Sequence, residues 1–284
     1  MQTIVVRRTG GIGDAIVATV VADALIAVGH PVVFQCHRSI HPVIARHPRI
    51  SRVTERDAAC HVDLDGVYEK SGAKTTAHLQ WLFSMSAQAQ LRRIGITVQV
   101  SREAKPPLVV PAPIQSAHRA RLAWAEKPWV FICPRSDHYN VRSVPDTTWG
   151  NAAKDIEGTK FWLGRTPAPP GIVDFHVQTI IQVMDFLSVA DLLLTVDTGP
   201  MHIAAALGVP VVVIFQAVNP ALRLSGSTRY EAVKPDGLTC LNCQLYECPI
   251  NRFLPPCQTV DPNKIAAAAK KMLQRDPDGA RVAA

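Results

Sequence analysis

The chain has 284 residues, 48% apolar and 19% charged, a composition that can bury a sizeable core and excludes disorder for the bulk of it. That length suits two domains of about 100–200 residues each, and 16 Gly and 22 Pro scattered without period exclude a collagen-like or low-complexity chain. The net charge of +7 lies wholly in residues 1–125, with 15 Lys+Arg against 8 Asp+Glu, while residues 126–284 balance at 15 against 15.

Thr3–Thr9 reads as a short apolar strand, Gly10-Gly11-Ile12-Gly13 as a turn, and Ala15–Val28 as a helix stopped by Gly29. His30–Cys36 is the next strand, which makes one β-α-β unit and predicts a parallel sheet. A strand at His61–Asp65 and a helix over Thr75–Arg92 follow, then a proline-rich stretch and a helix over Ile114–Ala125. The domain change is placed at 125/126. A second series begins with a strand at Trp129–Cys133, a helix at Asp146–Ile156 and a strand at Lys160–Gly164. It continues with a helix at Ile180–Ala190, a buried strand at Leu192–Asp197, a helix at Pro200–Leu207 and a strand at Val211–Phe215. A last helix, Pro262–Gln274, precedes a polar tail. The fold class is α/β.

The basic first half is read either as a solubility surface or as a face for an anion, such as nucleic acid, a lipid head group or an acidic sugar. No apolar run reaches the about 20 residues that span a bilayer. Met1-Gln2-Thr3 lacks the features of a signal peptide. The expected location is cytoplasmic, with peripheral contact at the inner face of the membrane.

The densest signal is Asp197-Thr198-Gly199-Pro200-Met201-His202, after a buried strand and ahead of a helix that stops at Gly208. Amides at such a helix start face the carboxyl edge of the sheet and suit a phosphate or diphosphate. His202 in the first turn either donates to a phosphate oxygen or packs, and Asp197 and Thr198 either serve the ligand or cap the helix. The Gly10–Gly13 turn breaks the G-x-G-x-x-G dinucleotide pattern, since Ile16 replaces the third glycine, and no acid ends the second strand. A nicotinamide oxidoreductase or a plain nucleotide-binding module therefore ranks below other readings. What remains is a flexible loop presenting Asp14, either an N-cap or a general base.

Seven cysteines in a cytoplasmic chain argue against a disulfide framework. Four of them, Cys240, Cys243, Cys248 and Cys257, have the spacing C-x2-C-x4-C-x8-C. They are read either as four thiolate ligands of a structural zinc or iron or as reduced thiols.

Gly11-Ile12-Gly13-Asp14 after the first strand, Asp197 to His202 with Ala204 to Pro210 behind it, and the cysteine segment together resemble glycosyltransferase family 9, the ADP-heptose lipopolysaccharide heptosyltransferases. Cys133-Pro134-Arg135 through Asn140-Val141-Arg142-Ser143-Val144-Pro145 and Trp149 resemble the opening of the family's second domain, with Val144 in place of its usual aromatic residue. The resemblance implies a GT-B fold of two Rossmann-like domains. An acceptor-binding domain would span 1–125 and a nucleotide-sugar-binding domain 126–260, with the helix and tail of 261–284 packing back on the first domain.

It further implies transfer with inversion and no metal needed for catalysis. The expected donor is a nucleotide-diphosphate sugar. The expected acceptor is an anionic lipid-linked oligosaccharide, with nucleic-acid bases or a protein as the alternative. In that scheme Asp14 is the catalytic base, and Gly11, Ile12 and Gly13 form the acceptor loop. Thr198, Gly199, Pro200, Met201 and His202 receive the diphosphate. Arg142, Arg135 and Ser136 neutralise it, and Asp197 holds sugar hydroxyls or orients the turn.

Overall fold

The structure, a computed structural model, describes residues 1–55, 59–101, 103–136 and 140–274. The chain forms two compact units. The first takes in Met1–Val110 with Ala205–Leu207 and Pro220–Thr228, and the second takes in Pro111–Ala204, Gly208–Asn219 and the chain from Arg229 onward. The division falls at Val110/Pro111, ahead of the boundary read at 125/126. The expected tail beyond Gln274 lies outside the described residues.

In the first unit β1 (Ile4–Arg7) leads into α1 (Ile12–Ala27), and then β2 (Val32–Gln35), the short α2 (His41–Ile44) and β3 (Arg52–Thr54) follow. β4 (Val62–Asp63) and α3 (Leu79–Arg92) complete it. The sheet is parallel, in the order β3-β2-β1-β4. Helix α1 is buried from Ala15 to Ala22 and at Leu25. A helix apolar nearly all round belongs inside a core, and α1 packs on β1, β2 and α3. The segment Pro220–Thr228 is tied down by Arg223, whose guanidinium lies 4.3 Å from the Tyr68 ring centre, and by His78, whose Nε2–H donates to the Leu224 carbonyl at 3.1 Å.

The second unit starts with α4 (Ala112–Arg121) and β5 (Trp129–Cys133). It continues with α5 (Asp146–Ala153), β6 (Thr159–Trp162), β7 (Val173–Asp174), α6 (Ile180–Leu187) and β8 (Leu192–Val196). Then come α7 (Gly199–Leu207), β9 (Val211–Ile214), β10 (Tyr230–Val233) and α8 (Pro262–Gln274). All six strands are parallel, in the order β10-β9-β8-β5-β6-β7. The central strands β5, β8 and β9 are buried along their whole length. Helices cover both faces of such a sheet, so the strands read as continuous apolar runs rather than alternating ones. Gly208 ends α7 with φ +80°, a backbone setting that favours glycine.

Helix α4 packs on α6, with the His118 and Phe186 rings 4.5 Å apart, and so belongs to the second unit. Helix α8 places Ile265, Ala266, Ala268, Ala269 and Met272 in the same core as Trp149, Ile132 and Val212. Those positions form one stripe at helical spacing. The resemblance implied a return of this helix to the first domain, but its apolar face is used within the second unit. The two parallel α/β sheets meet the GT-B expectation of paired Rossmann-like domains.

Candidate active site

In an open parallel sheet, ligands bind beyond the carboxyl ends of the strands where the strand order reverses. In the second unit that point lies between β5 and β8, whose neighbours run away in opposite directions. The chain leaves β5 as Pro134-Arg135-Ser136 and leaves β8 as Asp197-Thr198-Gly199. The sequence-read donor residues from these two loops therefore meet at one sheet edge.

Asp197 is only 4% exposed, and its Oδ2 stands 3.2 Å from Nη1 of Arg142. Asp197 is thus paired with Arg142, a contact that neither of the two roles read for it from the sequence had named. Arg135 forks onto Asp146, with Nε 3.1 Å from Oδ1 and Nη2 2.8 Å from Oδ2, and about half of its side chain remains exposed. Asp146 is fixed in turn by the hydroxyl of Thr166, which donates to Oδ2 at 3.1 Å. The Ser136 amide donates to the Ser143 hydroxyl at 3.3 Å. Gln216, buried beyond β9, donates to the carbonyls of Ser143 and Cys257, each at 3.0 Å. Ser143, next to Arg142, is thus held from two sides.

At the start of α7, Pro200 has no N–H, and the Met201 amide donates to the Thr198 carbonyl at 3.1 Å. Of the run from Thr198 to His202 read from the sequence, Pro200 therefore brings no donor and the Met201 amide is turned back onto its own helix start. The Met201 side chain is fully buried and acts in packing. His202 is 7% exposed and already engaged within the protein.

In the first unit the order reverses between β1 and β4. The turn after β1 is not a flexible loop. Asp65, beyond β4, accepts the Thr9 amide at 2.6 Å and the Thr9 hydroxyl at 2.7 Å, and α1 already begins at Ile12. Gly11 is the N-cap and makes no side-chain cap, so Asp14 is a first-turn residue rather than the cap. Ile12 and Gly13 open the helix beside it. The Asp14 carboxylate instead meets Arg8, with Nη2 2.6 Å from Oδ2.

Arg8 also bonds Glu69, with Nη2 2.6 Å from Oε1 and Nη1 3.2 Å from Oε2, and Nη1 donates to the Leu64 carbonyl at 3.2 Å. Burial would lower the pKa of Arg8. The Glu69 hydrogen bond, the charge and hydrogen bond of Asp14 and the charge of Glu69 more than reverse this and hold it above the ordinary guanidinium value. Burial alone would raise the Glu69 carboxyl, but its bonds and the Arg8 charge bring it below the usual range. Asp63 pairs with Arg7 at 3.3 Å. Two of the basic residues counted in the first half are thus consumed by acids at this edge. Sequence reading missed Arg8, Asp65 and Glu69. The available signals were a charged residue closing an otherwise apolar strand and an Asp-x-Asp step closing another.

Comparison with known proteins follows the same lines. Residues 178–253, which contain the β8–α7 turn and most of the cysteine segment, match the family described as glycosyltransferase family 9 (heptosyltransferase). The resemblance to glycosyltransferase family 9 stands. It supports a glycosyltransferase enzyme.

Among solved structures, a family 9 glycosyl transferase from Veillonella parvula aligns with TM-score 0.65 at 12% identity, covering 96% of this chain and 97% of that one. The Escherichia coli ADP-heptose lipopolysaccharide heptosyltransferase II aligns with TM-score 0.66 at 13% identity, covering 96% and 99%. The iron-containing dodecameric glycosyltransferase TibC from enterotoxigenic E. coli aligns with TM-score 0.65 at 16% identity, covering 97% and 78%. These likenesses concern the fold. The search of curated proteins found no match.

The cysteine segment is read either as a structural metal site or as reduced thiols. All four cysteines are unbridged. The Cys257 thiol is pushed up to about 11, first by burial and then by the charges of Cys248, Cys243 and Cys240, so the four sulfurs share a neighbourhood. Yet among the described residues no group of three or more His, Cys, Asp or Glu side chains is placed to hold a metal ion. The loop is held by other bonds. The Asn242 amide donates to the Gln216 carbonyl at 2.9 Å and the Gln244 amide to the Ala217 carbonyl at 2.8 Å. Cys243 is exposed, and the Cys257 thiol leans on the Val141 carbonyl at 3.8 Å. The zinc or iron reading of these four thiols is therefore not shown by their arrangement among the described residues.

Proposed function

We propose that the protein is an inverting glycosyltransferase that moves a heptose-like sugar from a nucleotide-diphosphate donor to a hydroxyl of an anionic acceptor such as a lipopolysaccharide core. One observation carries the reading: each sheet presents a chemically complementary group at its own switch point, cations and helix amides in one unit and a carboxylate in the other. The solved relatives described with ADP-heptose make that compound the first donor to try.

In this reading the donor diphosphate lies against the amides of the turn from Thr198 to His202, with Arg142 and the half-exposed Arg135 on its oxygens. A guanidinium fork matches phosphate geometry. Asp14 takes the proton of the acceptor hydroxyl as that oxygen forms its bond to the anomeric carbon. The carbon–oxygen bond to the diphosphate breaks on the opposite face, and the leaving group keeps the electron pair. Its growing charge meets donors already in place, which is the usual largest source of rate.

The test pairs a thermal-shift panel of nucleotide sugars with Asp14→Asn. A stabilising shift with ADP-heptose, together with collapsed turnover and near-native donor affinity in the variant, is the expected result. Unchanged turnover in Asp14→Asn removes Asp14 from the mechanism. No shift with any nucleotide sugar removes the donor assignment. No helix among the described residues is long and apolar enough to cross a membrane.

A further inference from the structure

We propose that Arg8 is the positioning residue that aims Asp14, so that the base works as one half of a fixed pair. The proposal rests on the reading of Asp14 as the base. A first-turn aspartate on a surface helix ordinarily swings among rotamers or bonds its own helix amides. Asp14 instead meets a cation that has nowhere to go. The Arg8 side chain is 1% exposed. Glu69 holds two of its nitrogens, the Leu64 carbonyl a third contact, and the Phe83 ring centre lies 5.3 Å from its Cζ.

Gly10 closes the remaining side: a Cβ there would stand 2.7 Å from both Cζ and Nη2. The Asp14 side chain, by contrast, keeps 26% exposure. Arg8 thus passes the rigidity of the β1 and β4 edges to a carboxylate that still reaches solvent. It takes Oδ2 and leaves Oδ1 to face the acceptor proton. Glu69 shares the same guanidinium, so Asp14 is oriented without being fully neutralised.

The distinguishing experiment measures ADP release from ADP-heptose, with a deacylated, heptose-free lipopolysaccharide core as acceptor. Arg8→Lys keeps the charge and loses the fork. Gly10→Ala keeps every charge and displaces the guanidinium, so it decides the matter if Arg8→Lys does not fold. The expected result for Arg8→Lys is a fall in kcat of roughly 10–100-fold, the scale of a small misplacement of a reacting group, with donor KM within about twofold of wild type. Gly10→Ala should lower kcat in the same direction by a smaller factor.

In an Asp14→Asn background neither change should cost anything further, because there is no base left to aim. A folded Arg8→Lys or Gly10→Ala protein that turns over like wild type overturns the proposal. So does a loss that multiplies with that of Asp14→Asn, the mark of a merely structural role. If Asp14→Asn itself turns over normally, or wild type releases no ADP, the base reading fails first and takes this proposal with it.

Discussion

Replacing Arg142 with Gln separates what this side chain does for the fold from what it does for the donor. Its guanidinium is 3.2 Å from Asp197, and the two side chains are 19% and 6% exposed. Removing one partner of a pair this buried strands the other charge and costs about 3–5 kcal/mol. At about 2–4 °C per kcal/mol for a domain of this size, the unfolding midpoint should fall by roughly 6–20 °C.

A charge-assisted contact to a diphosphate is worth about 1.5–3 kcal/mol. Its loss should therefore weaken ADP binding by roughly 10–150-fold. Isothermal titration with ADP at fixed ionic strength and scanning calorimetry read the two quantities. The double change Arg142→Gln with Asp197→Asn removes both charges and leaves two amides that can bond each other. It should recover most of the lost stability while ADP binding stays weak. Recovery of ADP affinity in the double variant, or undiminished affinity in the single one, would refute a diphosphate role for Arg142.

Further outcomes follow from the same geometry. Trp149 is fully buried, donates from Nε1 to the Pro134 carbonyl at 3.3 Å and sits under α8; Trp149→Ala should cost about 3–5 kcal/mol in urea unfolding, and a loss below 1 kcal/mol would contradict this packing. His78 is held below the ordinary histidine value by burial and by Arg223, against the opposing pull of the Leu224 carbonyl and Glu103. The unfolded chain then takes up a proton near pH 6.5 that the folded His78 refuses, so stability should fall as pH drops from about 7 toward 5. His78→Gln should flatten that slope in urea midpoints, and an unchanged slope would discharge His78. Of the clustered thiols, exposed Cys243 should be alkylated first and Cys257, at about 11, last, as read by mass spectrometry after a brief maleimide pulse at pH 7.5.

The elements with a full apolar signal were legible from sequence to within a few residues. β5, β8, β9, α7 and α8 appear where the apolar runs, the Pro near a helix start and the Gly stop place them. The edge strands β3, β7 and β10 were not anticipated. They are two to four residues long and half-exposed in large part, so they lack the continuous apolar run that marks a central strand. The domain boundary moved for a related reason: α4 buries none of its residues fully, and only its packing on α6 assigns it to the second unit.

The site divides in the same way. A helix start after a buried strand is a local event, and Asp197 to His202 declare it in six consecutive residues. The Asp14 carboxylate is local too, but what it touches is not. Arg8 and Glu69 are 61 residues apart, and Thr9 and Asp65 are 56 apart. Nothing in the sequence pattern selects those pairs, because a charged residue at a strand end suits solvent as well as a partner. The parallel sheet brings the ends of β1 and β4 side by side, and burial then obliges each charge there to find its opposite. The cysteines show the reverse case. Their spacing suits a ligand set or reduced thiols alike, while the bonds of Asn242 and Gln244 and the lean of Cys257 on the Val141 carbonyl exist only in the folded chain.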